Sequence, residues 1–144
     1  MDKGINQYIL EQFHIEEQDV KTYSPLTLAY IGDGVFDLVI RSLVVGKGNT
    51  NTNQLHRQTS KVVKAASQSA MVEKILPYLT KEEEAVYKRG RNAKSGTMAK
   101  NASMSDYRRA TGFEALMGYL YLTNNFERLM ELVKLCFEKN KPQA

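Results

Sequence analysis

Long apolar runs are missing from this chain. No stretch of about 18 or more apolar residues occurs, and the N-terminal MDKGINQYILEQFHIEEQDV mixes acids with apolar residues, so neither a membrane span nor a secretory signal is supported. A cytoplasmic protein is expected. Cysteine is nearly absent: Cys136 has no internal disulfide partner and no Cys or His at metal-ligand spacing, which excludes an extracellular staple and a zinc site and fits a reduced compartment. Histidine is scarce too, and His56, with no second histidine nearby, is not read as a metal ligand or general base. No segment alternates apolar and polar residues long enough to make a strand, and there is no internal repeat or low-complexity tract. What is present, 144 residues at 42% hydrophobic, is enough for one packed core, expected as a single domain over 1–144 with a short N-terminal extension, about residues 1–23.

Acid is also scarce locally. The net charge is only +4, but Lys88, Arg89, Arg91, Lys94, Lys100, Arg108 and Arg109 face only Asp106 in their own stretch, whereas Glu82, Glu83 and Glu84 precede it. KRGRNAKSG reads either as a solvated charged loop or as a phosphate-contacting one. The second is favoured, since Gly90 and Gly96 free the backbone to approach and Asn92, Ser95 and Thr97 add neutral donors.

The periodicity is helical almost throughout, so the fold class is all-α. Ser24-Pro25 starts a helix that runs to about Val45, where Gly46-Lys47-Gly48 ends it. Asn51 or Thr52 opens LHRQTSKVVKAA, with Leu55, Thr59, Val62, Val63 and Ala66 inward and His56, Arg57, Lys61 and Lys64 on the polar side. A third helix covers roughly Ser67 to Leu79 and breaks near Pro77, and Thr80 with Glu83 forms a capping box for a fourth. Ser103 with Asp106, and Asn124 with Glu127, have box spacing before two more; in the last, Phe126, Leu129, Met130, Val133 and Phe137 recur at core spacing. Ile5, Tyr8, Ile9 and Phe13 suggest a short amphipathic N-terminal helix.

Two acids stand out. In LTLAYIGDGVFDLVIR the only polar stripe is Tyr30, Asp33, Asp37 and Arg41 on an otherwise apolar, mostly buried cylinder; in YRRATGFEALMGYLYL, Glu114 lies between Ala110 and Gly118, with Tyr107 and Tyr121 along the same face. Gly32 and Gly34 weaken the first helix by up to ~1 kcal/mol each, which makes sense if another helix or a ligand comes close to Asp33. Two helices can then pack with their carboxylates meeting and hold a Mg²⁺ that completes its shell with water and phosphate oxygens. The competing reading pairs Asp33 with Arg41 or Arg108, and Glu114 with a tyrosine hydroxyl, as satisfied core groups.

YIGDGVFDLVI and FEALMGYLYL resemble the two signature segments of the ribonuclease III family, a dimeric all-helical endonuclease fold acting on double-stranded RNA. LTLAYIGD, EEEAVYKRGRNAKSGT and YRRATGFEALMGYL resemble its Mini-ribonuclease III branch, which has this domain alone. The likeness covers Leu26 to about Leu122. It implies that Asp33 and Glu114 are catalytic, metal-binding residues; Mg²⁺ as cofactor, with Mn²⁺ able to substitute; and products with 5′-phosphate and 3′-hydroxyl ends. It also implies a homodimer cutting both strands, and maturation of 23S ribosomal RNA precursor, with a ribosomal protein on the substrate as a further partner. The full-length enzymes carry two more carboxylates, and Leu26 and Thr111 stand at those positions here. Asp37 is read as a surface or dimer-contact acid rather than an outer-shell carboxylate.

RNA contacts are assigned to Arg89, Arg91, Lys94 and Lys100 of the basic loop and to His56, Lys61 and Lys64 of the second long helix, which would grip A-form RNA by shape and backbone. The alternatives are a catalytically silent dimeric RNA binder of the same fold and a plain helical interaction module. Asp33 and Glu114, both present, favour the enzyme.

Overall fold

The computed structural model describes residues 4–94 and 103–138 and has no strand among them. Seven α-helices follow in order: α1 (Ile5–Gln12), α2 (Pro25–Gly46), α3 (Thr52–Val63), α4 (Ala65–Ile75), α5 (Lys81–Asn92), α6 (Met104–Leu122) and α7 (Phe126–Phe137), with 3-10 turns at Val20–Thr22 and Leu76–Tyr78. The start signals act as their chemistry dictates. The Ser24 and Asn51 side chains accept from Thr27 N and Gln54 N, and Thr80 with Glu83 closes a complete capping box.

Helices α2 and α6 form the central pair; α5 and α4 pack on α6, α3 on α2, and α7 on α4 and α6. The apolar faces meet where Phe36 and Phe113 cross edge to face at 5.0 Å between ring centres, with Ile75, Leu116, Leu120 and Leu132 sealed around them. Burying such side chains stabilises the fold by about 1.5–3 kcal/mol each. Among the described residues an ionic contact is buried with the core: Arg128 of α7 donates through Nε and Nη2 to both carboxylate oxygens of Glu83, at 2.9 and 3.0 Å. Burial works against a charged Glu83, but hydrogen bonds from Arg128 and Thr80 outweigh it and hold its pKa below the ordinary value.

Several expectations are corrected. The second long helix stops at Val63, because Lys64 is extended and Ser67 Oγ donates to the Lys61 carbonyl; α4 therefore begins at Ala65, and Ala66 is exposed. Asn124 does not cap α7. It takes a left-handed φ of 58° and ends α6 in a Schellman turn, its N–H reaching Tyr121 O and that of Asn125 reaching Leu120 O. On α7, Phe126 and Phe137 are exposed, and Leu132 and Cys136 fill the core in their place. Nor is α2 buried all round. Leu38, Leu43 and Val45 are exposed, and with Ile5, Ile9 and Phe126 the first two border an apolar groove of about 600 Å³. No helix among the described residues is long and apolar enough to cross a membrane.

Candidate active site

The site forms where α2 and α6 touch backbone to backbone. A Cβ on Gly32 would collide with the Glu114 carbonyl, and one on Gly118 with the Leu28 carbonyl. Only residues without side chains allow this approach, so the two helices draw Asp33 and Glu114 together. Gly34, by contrast, has open space around it and faces the apolar groove, so its place in the sequence does not mark a close approach to Asp33.

Asp33 is exposed and Glu114 half-buried. Burial, then the hydrogen bond and charge of Asp33, push the Glu114 carboxyl up to about 9, opposed by the amide of Gln68. Gln68, from α4, is 1% exposed, and its Nε2 completes no hydrogen bond. Two carboxyl groups close enough to share a proton would both ionise around a divalent cation, and the buried amide beside them would then donate to the ionised Glu114. Mg²⁺ needs only one or two protein carboxylates. Among the described residues no group of three or more Asp, Glu, His or Cys gathers, so the set is limited to this pair.

The competing pairing of Asp33 with Arg41 is not what forms: Arg41 Nε donates to Asp37 at 2.7 Å, which also places Asp37 in a surface ion pair. The groups acting on Glu114 are Asp33 and Gln68 rather than a tyrosine hydroxyl. At the two positions without carboxylates, Leu26 is exposed and the Thr111 hydroxyl donates to the Tyr107 carbonyl at 2.9 Å.

The basic segment differs from expectation. Helix α5 runs through Asn92, so Lys88 to Asn92 is helix and not loop. Gly90 does not meet a phosphate backbone; it is buried against α6, where a Cβ would lie 2.9 Å from Gly112 Cα and 2.8 Å from Ala115 Cβ. Arg89 and Lys94 are exposed, and the Arg91 guanidinium lies 5.7 Å from the centre of the Tyr87 ring. Ser95, Gly96, Thr97 and Lys100 lie outside the described residues. His56, Lys61 and Lys64 are exposed at or beside α3, which packs on α2 and α4, whereas α5 packs on α6 and α2. The two basic groups thus sit on different parts of the scaffold.

Sequence reasoning missed Gln68. Its neighbours in AASQSAMV give no sign of it, because what makes it notable is a carboxylate on another helix.

An all-helical fold with paired carboxylates on its two central helices defines a class of protein, and comparison with known proteins specifies which. The Ribonuclease III domain matches residues 26–125, so the chain belongs to the ribonuclease III family. It is similar to Mini-ribonuclease 3 of Clostridium tetani, 53% identical over 83% of this chain and 80% of that one, and to Mini-ribonuclease 3 of Enterococcus faecalis, 49% identical over 85% and 94%. A crystal structure of a Fusobacterium nucleatum protein superposes with a TM-score of 0.77 at 29% identity, covering 85% of this chain and 99% of that one.

Proposed function

We propose that the protein is a Mg²⁺-dependent endoribonuclease that cuts double-stranded RNA, as a cytoplasmic homodimer, in the maturation of 23S ribosomal RNA precursor, leaving 5′-phosphate and 3′-hydroxyl ends. The observation that carries the reading is the meeting of Asp33 and Glu114 across the glycine contact of α2 and α6, in a family of ribonucleases. Asp33 and Glu114 would hold the cation, Mn²⁺ serving in place of Mg²⁺. When bound, the cation supplies charge neutralisation at the phosphate and activation of water. The chain's own part is to fix the two carboxylates: the α2–α6 contact sets their separation, and the partial burial of Glu114 keeps competing water away from one side. The exposed apolar groove of α1, α2 and α7 supports dimerisation, since a second copy would cover Leu38, Leu43 and Phe126 and set two sites about one axis.

The test is a long labelled RNA duplex incubated with wild type or Asp33→Asn, with Mg²⁺ or with EDTA. Discrete fragments are expected from wild type with Mg²⁺ alone. The engaged Thr111 hydroxyl and apolar Leu26 favour a second reading, a silent RNA binder, which predicts intact RNA in every lane and a shift on a native gel.

Arg91, part-exposed in the last turn of α5, and Lys94, exposed just beyond it, would hold phosphate. Changing both to Gln is expected to weaken binding to all duplexes alike and to lower the slope of log affinity against log salt by about 2. An unchanged slope would remove this segment from the interface.

A further inference from the structure

We propose that Gln68 is a positioning residue of this site: its buried side-chain amide holds the Glu114 carboxylate, as a neutral donor, in the orientation that takes up a divalent cation. The inference rests on reading Asp33 and Glu114 as the cation site and adds to it a residue from a third helix.

Gln68 is among the most buried polar side chains of the molecule, 1% exposed on α4, with Met71, Val72 and Ile75 of the same helix sealed in the core. Burying an amide N–H without a partner costs about 1–3 kcal/mol, whereas a Met or Leu would fill the same volume without that cost. The fold keeps the amide nonetheless. What lies beside it is the Glu114 carboxylate, the acceptor the amide can reach, although Nε2 completes no hydrogen bond. Glu114 also interacts with Asp33. Asp33 and Glu114 would hold a cation with both acids ionised, the proton they share passing to solvent, and the ionised Glu114 carboxylate would then be an acceptor for Nε2.

A neutral donor suits this position. A third carboxylate would add a further acid to a pair already crowded enough to share a proton, and no group of three gathers among the described residues. A free Glu side chain has rotamers to lose on binding a cation, and a fixed amide removes part of that loss in advance. Groups that orient a ligand in this way typically change metal affinity by about 10–100-fold when removed.

The direct test is Gln68→Met, which keeps length and volume but removes the donor. Mn²⁺ affinity of the free protein, read by electron paramagnetic resonance, is expected to fall about tenfold. The KM for duplex should stay unchanged, and excess Mg²⁺ should restore kcat. Unaltered Mn²⁺ affinity in a folded Gln68→Met overturns the proposal, because a merely structural glutamine predicts that result. A second measurement uses the wild type: with ¹⁵N-glutamine labelling, the Gln68 side-chain amide signal is expected to move on addition of Mg²⁺. A signal that stays in place overturns the proposal even where the variant fails to fold. Wild type that neither binds Mn²⁺ nor cuts RNA overturns the endonuclease reading first and this one with it.

Discussion

Glu114→Gln is expected to abolish cleavage of a long RNA duplex, by about 10³-fold or more, while leaving duplex binding in place. The amide is the same size as the carboxyl, so the α2–α6 contact survives, but it cannot bring a negative charge to a cation. The same change should stabilise the metal-free protein. In the unfolded chain Glu114 titrates near 4.5, and in the fold burial and Asp33 push it up to about 9. Between those values the folded state binds more protons than the unfolded one, so stability is fully present below pH 4.5 and is lost as pH rises toward 9. Gln has no proton to lose. Melting curves from pH 5 to 9 should therefore slope downward for wild type without metal and run flatter for Glu114→Gln, a gain on the order of a few kcal/mol at the alkaline end. Mg²⁺ should lift the wild-type curve at alkaline pH and leave the variant unmoved. A variant that unfolds would instead mark Glu114 as a structural acid.

The other large effect lies in the backbone contact that makes the site. Gly32→Ala places a methyl group on the Glu114 carbonyl and Gly118→Ala places one on the Leu28 carbonyl, and neither obstacle is the end of a flexible side chain. The helices must separate or one must shift, at a cost of about 3 kcal/mol or more. For a domain of this size that corresponds to a melting temperature lower by about 10 °C. Cleavage should fall further than the stability loss explains, since any separation of α2 from α6 also moves Asp33 away from Glu114. Gly46→Ala, on the same helix with open space around it, is the control; it should change stability by less than about 1 kcal/mol, and in the favourable direction. Gly32→Ala melting with wild type would show that the helices do not touch through their backbones.

The two acids were legible because each is set among small residues in a largely apolar stretch of helix, and the fold brings them together. The glycines were legible only in part. Gly32 and Gly118 are the contact residues, but Gly34, adjacent in sequence, faces outward, and Gly90, expected to meet phosphate, serves packing against Gly112 and Ala115. A glycine signals that something comes close or that nothing does, and local sequence does not distinguish the two.

The sequence by itself determined that the chain is helical, the caps at Ser24, Asn51 and Thr80 and the chemistry available to the site, because periodicity, caps and charges act within one or two turns of chain. Tertiary structure decided the rest. It pairs Glu83 with Arg128 across 45 residues, brings Gln68 of α4 to Glu114 of α6, and leaves the α2 groove uncovered on a helix whose pattern reads as buried. Each of these depends on which helix packs against which face. That choice comes from the shape and volume of the whole core, and no local window of the chain contains it.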